Sequence, residues 1–404
     1  MKNFKLKKTI GIIGGGQLGR MMAYEAYKMG FFVYVLDPDP DAPAMQICHK
    51  PIVASYDDEG AIFQMVKECD VITYEFENVN PELLLEFRKE IPIHPNPEIL
   101  KISKNRNKEK ELAHRYGISI PKIFPIRTVQ NQKESIETLY HELRKTNIDW
   151  IIKTAEGGYD GKFQIFFPSQ TITLSDFEQK LSEIFRAFKK DTIEIIIEER
   201  LNFSFEFSVI SCGIKDQNGN YRIEFFHPFI NYHKDGILRK TFLSLQKEVQ
   251  FLEELQNKIT QLMRDFDYIG LLTIEFFYKE NEIFFNEMAP RPHNSGHLTI
   301  EAYDYSQFHQ HVRAISKLPV HKPKPHSYAG MLNLVSFNRI DEQPYLVEEI
   351  LKYPKTYFHY YGKKEAKQKR KMGHITVLQS EFHHVQTIIE ELERKIYAHE
   401  FINQ

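Results

Sequence analysis

The stretch NEMAPRPHNSGH, from Asn286 to His297, brings a carboxylate, two amides, an arginine, two histidines and two prolines into one short segment. Directly upstream, LLTIEFFYKENEIFFNEMAPR alternates apolar residues on both sides of a polar turn, the pattern of a β-hairpin. Glu275 and Glu287 fall in matching places on its two strands. Carboxylates aimed at one spot repel, and raise each other's pKa, unless a cation lies between them. Oxygen-only ligands of this kind suit magnesium, with manganese as a substitute, and leave contacts for substrate phosphates. A pair of solvated hairpin glutamates is the competing reading of the spacing.

Two glycine clusters carry further chemistry. Gly14, Gly16 and Gly19 form GxGxxG between a predicted strand and helix, and Asp37 ends the next strand. That is the dinucleotide fingerprint, in which glycines let the backbone approach phosphate at a helix N-terminus. It makes a nicotinamide-dependent oxidoreductase a contender, beside another phosphate ligand or a tight structural turn. The second cluster, KTAEGGYDGK, places Lys153 at a strand end before a flexible loop with Asp160 and Lys162. Such a loop can close over a triphosphate through backbone amides and lysine charge. It lacks the GK[ST] ending of a Walker A loop, and a hairpin turn is the plainer alternative. In IIIEER a strand runs into Glu198 and Glu199, an edge that can offer backbone groups to an adenine and carboxylates to a ribose; an exposed acidic strand end is the duller possibility.

These residues need positioning elements. TIGIIG, GQLGRMMAYEAYKMG closed by Gly30, FFVYVLD, PIVAS and DVITYEF alternate strand and helix, predicting a parallel, doubly wound sheet that ends near IPIHPNPEIL, where three prolines interrupt regular structure. The basic stretch KNRNKEKELAHRYGI reads as helix. DWIIKT and TIEIIIEER read as strands around a helix at about Leu174 to Lys189. Long alternating strands follow at FSFEFSVIS and YRIEFFHPF, then the glutamate hairpin. After the proline-rich KLPVHKPKPHSYAG, the tail reads as a small α+β appendage.

The 404-residue chain allows two or three domains, and its 53 basic against 55 acidic residues, net charge -2, argue against a broad nucleic-acid or membrane footprint. Cys48, Cys69 and Cys212 show no CxxC spacing, so neither a disulfide framework nor a cysteine zinc site is expected. No apolar run suits a bilayer span, and the basic N-terminus leads into the glycine turn without a signal-like apolar region. A cytoplasmic protein is expected.

In chain order, GGGQLGRM, TYEFENV, KTAEGGYDGK, EERLNFSFEFSV, NYHKDGI, NEMAPRPHNSGH and YGKKEAKQKRKMGH resemble the ATP-grasp carboxylate-amine ligases, and within them the biotin-independent, bicarbonate-using 5-(carboxyamino)imidazole ribonucleotide synthases of purine biosynthesis. The resemblance spans nearly the whole chain. It implies a mixed α/β and α+β ATP-grasp architecture: a Rossmann-like domain over 1–103, an ATP-grasp domain over 104–320 with its lid at about 117–200, and a small C-terminal domain over 321–404. It also implies a homodimer without nucleic-acid or membrane partners.

Carried over residue by residue, the resemblance has Arg106, Lys153, the loop Gly157, Gly158, Tyr159, Asp160, Gly161 and Lys162, then Glu198, Glu199, Arg200, Leu201, Glu206 and His233 embrace ATP. Glu275 and Glu287 would hold magnesium against its phosphates, with Asn286 beside them. Gly16, Gln17 and Leu18 would bind the ribonucleotide's phosphate, and Glu75, Tyr159, Asp160, Lys363 and Arg370 would complete the substrate site, which makes the dinucleotide fingerprint a decoy. Arg291, His293, Asn294 and Lys363 would serve catalysis. ATP would phosphorylate bicarbonate to carboxyphosphate, and the amine of aminoimidazole ribonucleotide would take up its carboxyl group; charge on the transferring phosphoryl oxygens calls for a cation clamp.

Two positions depart from the family pattern: Phe163 stands where a glycine is expected, and LRKTFLS lacks a proline-containing ending. Open alternatives are an ATP-grasp enzyme using formate with glycinamide ribonucleotide or carboxylating biotin, the oxidoreductase, and a non-catalytic nucleotide sensor, which would leave the Arg291 and His293 loop without a purpose.

Overall fold

The N-terminal region folds as its alternating pattern predicts. In the computed structural model, which describes residues 8–157, 163–215, 219–243, 252–336, 344–367 and 369–398, β1 (Thr9–Ile13), α1 (Gln17–Lys28), β2 (Phe32–Asp37), β3 (Lys50–Val53), α2 (Glu59–Glu68) and β4 (Val71–Tyr74) build a parallel sheet of order β3-β2-β1-β4. Helices α3 (Pro81–Phe87) and α4 (Pro97–Ser103) follow, each with proline in its first turn behind an asparagine cap, Asn80 and Asn96. Proline's missing N–H is no loss there. Pro97, expected to interrupt regular structure, therefore opens a helix.

Helix α5 (Arg106–Arg115), capped by Asn105, leads into a second, antiparallel layer. It contains β5 (Thr128–Gln130), α6 (Lys133–Lys145), β6 (Trp150–Thr154), β7 (Gln164–Phe167), α7 (Leu174–Phe188) and β8 (Thr192–Glu199), in strand order β5-β8-β6-β7. The short β7 was expected only under the hairpin-turn reading of this segment. Its pairing with β6 makes the glycine-rich segment the connection of an antiparallel hairpin.

The third layer is a nine-stranded sheet of order β14-β13-β9-β11-β12-β15-β17-β16, with β10 on β9. Its elements are β9 (Phe205–Lys215), β10 (Tyr221–Phe225), β11 (Phe229–Lys234), β12 (Ile237–Leu243), α8 (Leu252–Asp265), β13 (Gly270–Lys279), β14 (Glu282–Ala289), α9 (Thr299–Ala302), α10 (Gln307–Ile315), β15 (Tyr328–Val335), α11 (Pro344–Leu351), β16 (Thr356–Tyr360), β17 (Lys371–Gln379) and α12 (Phe382–Ile396). The tail, read as a small α+β appendage, is joined to this sheet: β15 pairs with β12 from Lys240↔Leu332 to Leu243↔Ala329. The backbone groups along β12 need partners, and the tail supplies them.

Helix α10 returns to the first layer. Its Phe308, Val312 and Ile315 pack into the same buried cluster as Leu18, Met22, Val33 and Val35, and each such side chain stabilises the union by about 1.5–3 kcal/mol. Among the described residues no helix is long and apolar enough to cross a membrane, and all three cysteines are free.

Candidate active site

The hairpin places Glu275 opposite Glu287, as expected, but through a β-bulge between Glu275 and Phe276 that shifts the register by one residue. Its tight turn uses left-handed Glu280 and Asn281, φ 50° and 68°, which matches the twist of paired strands. Glu275 is 6% exposed, whereas Glu287 and, partly, Asn286 are open to solvent. Asn231 Nδ2 donates to Glu275 Oε1 at 3.2 Å, and Thr241 Oγ1 donates to Asn231 Oδ1 at 3.0 Å, so the carboxylate is held from behind. Burial, then the charges of Glu287 and Glu206, push the Glu275 carboxyl up to about 7, against the opposing pull of His233 and Lys371. His233 Nδ1 sits 2.5 Å from Glu206 Oε2. Burial alone would lower this imidazole, but Glu206 and then Glu275 bring it up to about 9, so it is a cation at neutral pH. Glu206, Glu275 and Glu287 thus outnumber their local cations. A hard divalent cation fits this oxygen set, in which two carboxylates face each other across the hairpin with a third nearby.

The loop after β14 is built against this pair. Arg291 clamps Glu77 through Nε at 2.8 Å and Nη2 at 3.1 Å, and its Nη1 donates to the Pro292 carbonyl at 3.0 Å. His293 caps the short turn Asn294–Gly296: the Ser295 N–H donates to its Nδ1 at 3.3 Å, and the Ser295 hydroxyl lies 2.8 Å from the same atom. A backbone N–H aimed at Nδ1 assigns the ring proton to Nε2, which lies 3.7 Å from Glu275 Oε1. Burial, then Arg291, pushes His293 well below the ordinary histidine range. It is a neutral donor beside the acidic pair. Asn294 exchanges amide hydrogen bonds with Asn333 at 3.0 and 2.6 Å, which commits its side chain to holding β15. His297 is fully buried against Phe308, Tyr361 and His374.

At the nucleotide end, Lys153 Nζ lies 2.7 Å from Glu198 Oε2 and Lys110 Nζ lies 2.5 Å from Glu198 Oε1. Burial would raise this carboxyl, yet the two ammonium groups bring it down to about 2. Glu198 was expected on an exposed strand edge. Instead β8 is paired with β6 at Ile151 on one side and bridged by Ile123 on the other, and the Glu199 N–H donates to the Lys122 carbonyl. The Glu198 carboxylate is spent on lysines, and the chain emerges from the sheet only at Arg200, whose guanidinium covers Phe166, and Leu201. Arg106 reaches the same place, donating from Nη1 to the Thr154 carbonyl at 3.0 Å and from its backbone to Ala155. Gly157 is left-handed at φ 75°. Gly158, Tyr159, Asp160, Gly161 and Lys162 lie outside the described residues. Phe163 adopts φ 56°, the conformation for which a glycine was expected, and its ring packs edge-on to Phe188.

The first glycine turn has a different occupant from the one its fingerprint suggests. Glu75, just past β4, accepts from the Gly16 N–H at 2.5 Å and the Gly19 N–H at 2.6 Å. A methyl on Gly16 would fall 2.4 Å from Glu75 Oε1, and one on Gly14 2.4 Å from Glu75 Cγ. The glycines therefore make room for a carboxylate. Asp37, the expected ribose ligand, is used up by the Gly15 N–H, Tyr56 hydroxyl and Asp39 N–H at 2.6, 2.7 and 2.8 Å. The first-turn N–H groups of Gln17 and Leu18 are left without a capping side chain, a ready anion site. The tail closes over it: Gln46 Nε2 donates to the Gly362 carbonyl at 2.9 Å and Lys364 pairs with Asp41, while burial raises the Glu75 carboxyl against the pull of the Gly19 and Gly16 N–H groups and of Lys363. Lys363 Nζ donates to the Lys371 carbonyl at 2.8 Å, and Arg370 Nη1 to the Glu365 carbonyl at 3.2 Å.

Sequence reading missed Glu77, Glu109, Lys110 and Lys371. Glu109 is buried, accepts the Met288 N–H at 3.1 Å and is pushed well up by burial and then by Glu287. Glu77 lies within the quoted TYEFENV motif and could have been found there. Charged residues on the inner face of α5 carry no such signal.

Three family models match the chain: the ribonucleotide synthetase preATP-grasp domain over residues 7–104, the ATP-grasp domain over 112–308, and the phosphoribosylaminoimidazole carboxylase C-terminal domain over 329–387. The N5-carboxyaminoimidazole ribonucleotide synthase of Staphylococcus aureus (strain COL) is 36% identical over 396 residues, 98% of this chain and 97% of that one. A crystal structure of N5-carboxyaminoimidazole synthetase from Staphylococcus aureus complexed with ADP superposes with a TM-score of 0.81 at 34% identity, covering 95% of this chain and 96% of the other. The Aspergillus clavatus synthase in complex with ADP and 5-aminoimidazole ribonucleotide gives 0.81 at 28% identity, covering 96% and 97%. With that identity maintained along nearly its full length, the chain belongs to the N5-carboxyaminoimidazole ribonucleotide synthase family of ATP-grasp ligases.

Proposed function

We propose that the protein carboxylates 5-aminoimidazole ribonucleotide with bicarbonate at the cost of ATP, releasing ADP and phosphate by way of carboxyphosphate. The observation that carries this reading is the facing pair Glu275 and Glu287 beside the neutral His293. Magnesium, or manganese in its place, would sit on Glu275 and Glu287 and neutralise charge on the phosphates of ATP.

The chain's own residues do the rest. Lys153, Arg106, the glycine loop through Lys162, and the segment Glu198 to Leu201 hold the nucleotide, with Glu206, His233 and Asn286 lining its approach. Arg291, kept in place by Glu77, offers its charge to bicarbonate and the carboxyphosphate formed from it. Nε2–H of His293 donates to an oxygen of the same species, and Asn294 keeps the loop docked on β15. Carboxyphosphate hydrolyses in water, so it must form next to its acceptor. Gln17 and Leu18 bind the ribonucleotide phosphate through their N–H groups at the turn where Gly16, its own N–H held by Glu75, leaves room for the ligand, Lys363 and Arg370 add positive charge, and Glu75, Tyr159 and Asp160 orient the rest. The amine nitrogen then attacks the carboxyl carbon, phosphate departs, and a proton leaves the nitrogen. Divisions at about 1–103, 104–320 and 321–404 and a homodimeric state, both resting on family resemblance, and a cytoplasmic location, resting on composition, complete the proposal.

ADP release from ATP and a divalent cation, with bicarbonate and aminoimidazole ribonucleotide each supplied or omitted, tests it. Release that requires bicarbonate and is stimulated by the ribonucleotide is expected; absence of release under every combination, from folded protein, would overturn it.

A further inference from the structure

Helix α10 presents Gln307, His309 and His311 at alternate positions to three different parts of the molecule. Gln307 is fully buried, and its amide embraces the backbone of His293: Oε1 accepts the His293 N–H at 2.9 Å while Nε2 donates to the His293 carbonyl at 2.6 Å. The same Nε2 lies 3.3 Å from Nδ1 of His297. The Gln307 N–H donates in turn to Thr299 Oγ1 at 2.9 Å. A methyl group on Gly296 would fall 2.6 Å from Gln307 Oε1, so the loop closes around this one amide.

The other two side chains reach the opposite half of the site. His309 Nδ1 lies 3.0 Å from Glu25 Oε2 on α1, the helix that the glycine turn opens. His311 Nδ1 accepts the Leu271 N–H of β13 at 3.2 Å, which puts its ring proton on Nε2, 2.9 Å from Thr73 Oγ1 on β4. Thr73 stands just before Glu75, and Leu271 lies on the strand that carries Glu275. One short helix is thus tied to the loop of His293, to the cation strand, to the helix that the glycine turn opens and to β4, the strand that leads to Glu75.

We propose that Gln307 is a positioning residue for the carboxylation: through its paired hydrogen bonds to the His293 backbone it holds the bicarbonate-side loop in register with α10, and so with the ribonucleotide side. This role rests on the reading of the His293 loop given above. An amide that satisfies both backbone groups of one residue fixes where its side chain points, and misplacement by a fraction of a bond length is enough to let water compete with the amine for a labile intermediate.

The test uses the full-length protein carrying Gln307→Met, which keeps the side-chain length and removes both hydrogen bonds, and Gln307→Glu, which replaces the Nε2 donor by an oxygen. ADP release and carboxylated product are measured on the same samples, with thermal unfolding alongside. A merely structural role lowers the folded fraction and reduces both rates together. The positioning role is expected to leave the KM for ATP unchanged, to lower kcat for product by about 10–100-fold, and to raise the ADP released per product formed. A proportional loss of both, or no loss, would overturn it; if Gln307→Met does not fold, the same ratio in Gln307→Glu decides. A wild-type protein whose ADP release ignores bicarbonate would instead overturn the reaction on which this role rests.

Discussion

Glu198 and Glu275 are both buried strand glutamates, 3% and 6% exposed, yet they titrate in opposite directions. Glu198 is met by Lys110 and Lys153 and falls to about 2; Glu275 faces Glu287 and Glu206 and rises to about 7. Burial disfavours both charges, so the partners decide the sign. The first group is complete within the chain, whereas the second is short of positive charge that a ligand must bring. Their effects on stability are therefore mirror images. Against an unfolded value of about 4.3, the depressed Glu198 contributes stability that is present above that pH and lost as pH falls towards 2. The raised Glu275 contributes stability present below about 4.3 and lost as pH rises through about 7.

The sharpest break of the comparison is Glu198→Gln. It would leave two ammonium groups facing each other in the interior, Lys110 almost wholly buried, and a loss of about 3–5 kcal/mol in denaturant unfolding is expected. Glu275→Gln, by contrast, should leave the ligand-free fold at least as stable at neutral pH, because it removes an unmatched carboxyl. Glu287→Ala is expected to lower cation-dependent kcat by about 10²–10³-fold while changing stability little, since its side chain is exposed. Steady-state turnover with unchanged unfolding would bear that out; unchanged turnover would remove Glu287 from the cation site.

A third effect separates the two glutamates by pH. A cation on Glu275 must displace its proton, so each pH unit below about 7 should weaken cation binding by roughly tenfold. The rise in unfolding temperature caused by magnesium should accordingly grow between about pH 6 and pH 8 and vanish in Glu275→Gln; a pH-independent rise would contradict the assignment. The smallest effect concerns the hairpin next to Lys153. Phe163 holds a left-handed backbone that costs about 1–2 kcal/mol for a residue with a Cβ, partly offset by its contact with Phe188. Phe163→Gly is therefore expected to be more stable than Phe163→Ala by about 1 kcal/mol in denaturant unfolding, although both lose the ring.

Much of this contrast was legible before the fold was known. Strict alternation around a short polar turn announces the hairpin, but from the turn alone Glu275 would face Asn286; a β-bulge between Glu275 and Phe276, which no periodicity shows, brings Glu287 opposite it. The parallel sheet and the glycine turn were equally local, whereas the glycine expected at Phe163 came from the family pattern and its left-handed backbone only from the fold. What was hidden depends on distance in the chain or on an unusual environment. Glu75 fills the glycine turn from 59 positions away, and no spacing within GxGxxG announces it. Lys110 and Glu109 sit on a helix whose polar residues would by default face water, and only tertiary burial turns them into an internal charge array. The pairing of β15 with β12 was likewise invisible, because a strand pattern specifies its faces but not its neighbour.

The most direct measurement is titration with manganese, followed by its electron paramagnetic resonance, in the presence of a non-hydrolysable ATP analogue. Wild-type protein should bind the ion tightly, Glu275→Gln and Glu287→Ala should each weaken it by about 10–100-fold, and Lys153→Met, which alters the Glu198 group, should retain the ion at any nucleotide concentration that saturates the site. Manganese affinity equal in wild type and both glutamate variants would contradict the assignment of the Glu275 and Glu287 pair as the cation centre.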